Sequence, residues 1–367
     1  MNRRQFLHTS SAAALTASSC TTTTQRADKL IIDTHQHLWG GDFVNPPWVK
    51  TAPEVLQHDF LTPEYVEATH GLNVKAIYME VDVAPKDHVK EADAIVAQIR
   101  ARNTPTIAAT IGGRPASADF ESYVQRYAGN GIVKGLRQVL HGPSTPAGYC
   151  LRPDFVRGVQ TLGKHGLNFE LTMRPTELHD AVKLIQQCPE THFVLDHCGN
   201  GDPKAFNPKL GPGLKRSCTA DGWKRGIDAV AAQPGVMCKI SGIVAFVPPG
   251  EWRAEDLAPV VNHCLDAFGP DRVVFGGDWP VCLLGAPLKR WVEHLTQIIA
   301  TRPAADQRKL YRAGMPLPHL GFHAKGRMPL TWRTAPSKAS SPAIMALVKS
   351  ILRLLLTKKI PTAIGRS

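Results

Sequence analysis

The chain has no Cys-x-x-Cys pair, no internal apolar run approaching the ~18 residues a membrane-spanning helix needs, and no acidic residue beyond position 312. Each absence excludes something. The eight cysteines (Cys20, Cys150, Cys188, Cys198, Cys218, Cys238, Cys264 and Cys282) are scattered. That rules out a zinc ribbon or a dense disulfide framework, and most of them read as small buried apolar side chains. No Gly-x-Gly-x-x-Gly follows the first strand-like run, which counts against a dinucleotide-binding fold. The missing acids also qualify the net charge of +12. Nine Lys or Arg lie between Ala313 and Ser367, so the rest of the chain carries only about +3 and gives no reason to expect a nucleic-acid partner.

What is present describes an ordinary globular protein. Of its 367 residues 43% are hydrophobic and 20% charged, enough for a large core in one or two domains. The first 28 residues read as targeting rather than structure. Asn2-Arg3-Arg4-Gln5-Phe6-Leu7 followed by a weakly apolar Ala/Ser/Thr run resembles a bacterial twin-arginine export signal. Cys20 after Ala17-Ser18-Ser19 would suit lipoprotein processing, although no Leu stands three residues before it. The expectation is an exported protein, periplasmic or membrane-anchored.

Between residues 30 and 280, eight short apolar runs alternate with longer stretches. The runs are Leu30–Thr34, Val74–Glu80, Thr106–Gly112, Ile132–Gln138, Asn168–Met173, His192–Asp196, Val236–Ile240 and Val273–Gly277. Tyr65–His70, Asp87–Arg102, Phe120–Ala128, Asp154–His165, Thr176–Gln187, Leu257–Phe268 and roughly Pro287–Thr301 carry helical patterning. Eight such alternations predict an α/β fold of (β/α)₈ barrel type over residues 29–312, with a doubly wound open sheet as the alternative. Reactive groups in such barrels lie at the C-terminal ends of the strands. Those ends supply His35 and His37, Glu80, Arg137 and Gln138, Arg174, His197 and Asp278. Taken singly, each has a plainer account as a turn former, a cap or a surface ion-pair partner. Their joint occurrence at successive strand ends points to an enzyme.

Ile32-Asp33-Thr34-His35-Gln36-His37-Leu38-Trp39, Gly135-Leu136-Arg137-Gln138, Phe169-Glu170-Leu171-Thr172-Met173-Arg174-Pro175, Leu195-Asp196-His197-Cys198-Gly199 and Phe275-Gly276-Gly277-Asp278-Trp279-Pro280 resemble the amidohydrolase-related family of sugar-lactone lactonases. The resemblance runs from about Lys29 to Tyr311 and implies a distorted barrel that hydrolyses a cyclic ester. It implies Asp278 as the base that activates water and His197 as a catalytic partner. His35, His37, His197 and Asp278 become ligands of one divalent ion, zinc or manganese. A metal-free site, in which the histidines donate to the carbonyl, stays open. Arg137 and Arg174 are expected to face the substrate, a small lactone, and Glu80 is placed with them. A decarboxylase sharing the same histidines and aspartate, or an exported binding protein without turnover, are the rival readings.

The pattern breaks after Arg312, where the expected Asn-Ala and Phe-Tyr ending is replaced by Ala313-Gly314-Met315-Pro316 and a basic tail. The tail, residues 313–367, is expected to have little order apart from an amphipathic helix over Ile344–Thr357. A frameshift accounts for the abrupt stop. The alternative is a native basic helix that contacts an anionic membrane surface.

Overall fold

The computed structural model describes residues 29–143, 145–250 and 252–312. The segment read as an export signal, with Cys20, and the basic tail with its expected helix lie outside the described residues. Strands β1 (Leu30–Gln36), β2 (Asn73–Met79), β3 (Thr106–Gly112), β4 (Val133–Val139), β5 (Asn168–Thr172), β6 (Phe193–Leu195), β7 (Val236–Ile240) and β8 (Val273–Phe275) form one sheet in chain order. Every neighbouring pair is parallel. The Gln36–Trp279 bridge and the 2.8 Å bond from the His37 N–H to the Trp279 carbonyl bring the chain after β8 back to β1. The sheet is therefore a nearly closed eight-stranded barrel.

Parallel neighbours need crossovers, and the helices supply them. They are α1 (Thr62–Ala68), α2 (His88–Arg100), α3 (Phe120–Tyr127), α4 (Pro153–Lys164), α5 (Leu178–Gln187), α6 (Ala220–Ala231), α7 (Ala254–Phe268), α8 (Leu288–Ile298) and α9 (Ala304–Tyr311). Their apolar stripes pack onto the outside of the barrel. In α4, for example, Phe155, Val156, Val159 and Leu162 are buried. Sequence patterning missed α6, because Ala220-Asp221-Gly222-Trp223 opens it with a glycine and few large apolar residues. Beyond α8, α9 buries Leu310 and Tyr311, and the Tyr311 ring lies 5.3 Å from that of Phe275 in β8. Helix α9 thus helps cover the outside of the barrel at β8. None of the helices among the described residues is long and apolar enough to cross a membrane.

Inside, Ile32, Ile77, Ala108, Val194, Met237 and Val274 form an apolar plug with one residue from each of six strands. Two residues further along, β3, the end of β6 and β7 lead to Thr110, Asp196 (the residue after β6) and Lys239, since side chains two apart share a face. The upper half of the interior is therefore polar. Pairing between β1 and β2 slips between Asp33 and Gln36, so strict alternation fails at that point of β1.

Asp33 ties the two site-bearing ends together. Its buried carboxylate accepts from the Gly277 N–H (2.7 Å), the His35 N–H (3.0 Å) and the Tyr65 hydroxyl (2.8 Å). A Cβ on residue 277 would lie 2.5 Å from Asp33 Oδ2, which is why glycine stands there.

Candidate active site

Four of the side chains singled out in the sequence meet at the top of the barrel. His35 and His37 have ring centroids 4.9 Å apart, and His35 and His197 4.4 Å apart. Asp278 Oδ1 is 3.4 Å from His37 Nε2 and 3.7 Å from His35 Nε2. One potential ligand atom from each of His35, His197 and Asp278 lies within 4.8 Å of the others. All four residues are buried.

The backbone is bent to hold them there. His197 (φ 55°), Cys198 (φ 52°) and Asp278 (φ 53°) occupy the left-handed region, where a non-glycine residue is strained. Strain of this kind persists where the surroundings over-determine it, and it clusters at functional sites. Opposite His197, Gly242 leaves room for the ring, since a Cβ there would lie 2.2 Å from Nδ1.

The outer ring nitrogens face protein groups. His37 Nδ1 lies 3.0 Å from the Met79 carbonyl, which can only accept, so Nδ1 carries the proton. Its Nε2 faces Asp278 Oδ1. His35 Nδ1 faces Asp196 Oδ1 at 3.5 Å, and His197 Nδ1 faces the Ser241 hydroxyl at 3.0 Å. Burial holds the pKa of His35 well below the ordinary histidine value and lowers that of His197, so both are neutral at neutral pH. Arg137 Nη1 also sits 3.3 Å from His35 Nε2.

Below the histidines lies a buried charge network. Arg137 donates from Nε to Glu80 Oε1 (2.6 Å) and from Nη2 to the Glu80 carbonyl (2.8 Å), and it reaches Asp196 Oδ2 at 3.5 Å. Lys239 Nζ sits 2.7 Å from Glu170 Oε2 and 3.3 Å from Asp196 Oδ1. Burial pushes Glu170 up to about 8, although Lys239 opposes the shift. Burial also acts to raise Asp196, but the Lys239 ammonium and His35 outweigh it and hold the group well below the usual carboxylate range.

Among the remaining sequence candidates, Glu80 and Arg137 are a buried pair engaged with each other, and Arg137 also borders the cluster through His35 Nε2. Arg174 is at the rim, partly exposed. Its Nη1 pairs with Glu177 (2.9 Å), and its Nη2 donates to the carbonyls of Gly142 (2.8 Å) and Thr145. It fastens the loop after β4.

Asp196, Glu170, Lys239 and Ser241 were not among the sequence candidates. A detectable signal existed: Lys239 in Val-Met-Cys-Lys-Ile and Glu170 in Asn-Phe-Glu-Leu-Thr are lone charges in short, fully buried strands. Charge at such a position demands a partner.

The sequence matches the family model described as Amidohydrolase over residues 32–313. A protein of Burkholderia multivorans named L-fucono-1,5-lactonase is 29% identical over 280 residues, covering 72% of this chain and 89% of its own. A crystal structure of an amidohydrolase from Burkholderia multivorans with bound zinc superposes with a TM-score of 0.66 at 24% identity, covering 79% of this chain and 99% of that one. A 2,6-dihydroxybenzoate decarboxylase from Rhizobium shares the fold at a TM-score of 0.52 and 14% identity, covering 80% of this chain and 99% of its own.

Proposed function

Because the chain belongs to the amidohydrolase family of hydrolases, we propose that it opens the ring of a sugar lactone, using a water that Asp278 deprotonates. The lactonase name of the Burkholderia multivorans relative supports the substrate class. The observation that carries the reading is the cluster at the top of the barrel: one potential ligand atom from each of His35, His197 and Asp278 lies within 4.8 Å of the others, and His37 Nε2 is 3.4 Å from Asp278 Oδ1. Burial keeps His35 and His197 neutral, so their ring nitrogens and the carboxylate offer ligands to one divalent ion.

The wider charge balance agrees. Among the described residues, Glu80, Glu170 and Asp196 pair with Arg137 and Lys239 while Asp278 faces His35 and His37, so carboxylates are in excess even when Glu170 holds its proton. Imidazole nitrogens with one carboxylate suit zinc or manganese. His35, His37, His197 and Asp278 would hold the ion, and its chemistry there would be Lewis-acid polarisation of the lactone carbonyl.

The residues then divide the work. A carboxylate has two oxygens, so Asp278 can bind through one and accept the proton of water through the other. Water adds to the carbonyl carbon, the ring C–O bond breaks, and the proton returns from Asp278 to the leaving oxygen. The product is the open hydroxy acid. Met79, Asp196 and Ser241 fix the ring orientations, and Arg174 holds the loop after β4 against which the sugar hydroxyls would lie.

Acid release from a panel of five- and six-membered sugar lactones tests this reading, before and after chelation and zinc addition. Acid release that falls on chelation and returns with zinc is expected. Silence across the panel, or release of carbon dioxide from hydroxybenzoates instead, would overturn it. Arg174→Ala should raise KM by roughly tenfold and leave kcat within about a factor of two, because two loop-fastening hydrogen bonds of ~1 kcal/mol each are lost. Steady-state kinetics on any lactone that is turned over would check it, and an unchanged KM would remove Arg174 from the substrate side.

A further inference from the structure

We propose that Lys239 is a positioning residue that sets the metal-binding face of His35, acting through Asp196. The inference rests on the ligand set proposed above and concerns a residue that touches neither substrate nor ion. Lys239 is 1% exposed and sits on β7, two residues beyond the apolar plug residue Met237. Strand alternation therefore puts its ammonium directly above a dry layer, with no route to water.

A lysine so placed must spend its three N–H donors on protein groups. Glu170 Oε2 at 2.7 Å takes the closest contact and is itself anchored, because the Thr110 hydroxyl donates to Glu170 Oε1 at 3.1 Å. Asp196 Oδ1 at 3.3 Å takes another. The second Asp196 oxygen accepts from the Thr172 hydroxyl (3.0 Å) and faces Arg137 Nη1 (3.5 Å). Asp196 is thus held by groups from β4, β5 and β7, and its Oδ1 lies 3.5 Å from His35 Nδ1.

The consequence is directional. Asp196 can only accept, and the Arg137 guanidinium 3.3 Å from Nε2 can only donate. Both favour the His35 tautomer with hydrogen on Nδ1 and a lone pair on Nε2, which also lies 3.7 Å from Asp278 Oδ1. Lys239 Nζ also lies 3.5 Å from Nδ1, but two donors cannot bond to each other in that tautomer, so its hold on the site is through the ion pairs with Glu170 and Asp196. Without the ammonium, Asp196 loses the 3.3 Å ion pair that holds its Oδ1 beside His35 Nδ1, whether or not residue 170 carries a charge. Asp196 would then move away from Nδ1, and the His35 ring would lose the acceptor that orients it.

The test is zinc affinity, measured by competition with a chromophoric chelator and needing no substrate. Wild type, Lys239→Met and the charge-balanced double variant Lys239→Met/Glu170→Gln would be compared, with thermal melts of the metal-free proteins. The double variant guards against misfolding, since it removes an ammonium and a carboxylate together. Zinc binding about 10–100-fold weaker in the double variant, with a folded metal-free state, is the expected result and matches the usual effect of losing an outer-shell partner. Should any lactone be turned over, kcat in zinc-saturated variants should fall while KM holds. Zinc affinity equal to wild type in either folded variant would overturn the role of Lys239, whatever the activity. Failure of the wild type itself to bind zinc would instead overturn the ligand set, and this proposal with it.

Discussion

Asp278→Asn is expected to lower kcat by on the order of a thousandfold, the range set by loss of a positioned general base. The substitution keeps shape and burial but removes the group that accepts the proton of water. An amide oxygen can still coordinate, so bound zinc should persist at reduced affinity. The left-handed backbone at Asp278 (φ 53°) tolerates asparagine as readily as aspartate, so the melting temperature should change little. Parallel measurement of kcat, zinc content and melting temperature separates the cases. A rate within tenfold of wild type would show that another group takes the proton.

Arg137→Ala should act mainly on stability, by about 3–5 kcal/mol, the usual cost of leaving a buried charge without its partner. Glu80 is fully buried and its Oε1 accepts the shortest contact Arg137 makes, at 2.6 Å. Against a typical total of ~5–15 kcal/mol, such a loss is severe. Arg137→Met with Glu80→Gln should recover most of it, because the carboxylate is neutralised with the guanidinium. Urea denaturation of wild type, the single variant and the double variant tests the point. A single variant as stable as wild type, with only KM raised, would place Arg137 against the substrate after all.

These two residues also show what could be read from the sequence. Asp278 follows a β-branched strand and the Gly276-Gly277 pair, and its place at a strand end was visible in the pattern. The same holds for His35, His37 and His197. Strand boundaries were legible because the apolar runs are short and sharply bounded; Thr106–Gly112 and Val236–Ile240 stand as the patterning placed them. At β8 the apolar pattern ran on to Gly277, but the ladder stops at Phe275, where the chain turns to bring Asp278 inward.

Arg137 was equally visible, but its partner was not. A strand-end arginine looks the same whether it faces a ligand or a carboxylate 57 residues away, and only the closed barrel brings β2 beside the interior face of β4. The Asp196–Lys239–Glu170 network was hidden for the same reason, since it joins β5, β6 and β7 through space. Arg174 shows the reverse. Glu177, three residues on, was a readable partner, but the carbonyls of Gly142 and Thr145 belong to a loop without a pattern.

The central claim is that water, activated at Asp278, attacks the carbonyl of a sugar lactone. The most direct test is to run zinc-loaded protein on a sugar lactone in ¹⁸O-water and weigh the product, with Asp278→Asn as the control for spontaneous opening. The expected result is a hydroxy acid carrying one heavy oxygen in its carboxylate, formed far faster with wild type than with the variant. Equal rates for the two proteins, or a heavy oxygen on the released alcohol rather than the carboxylate, would contradict it.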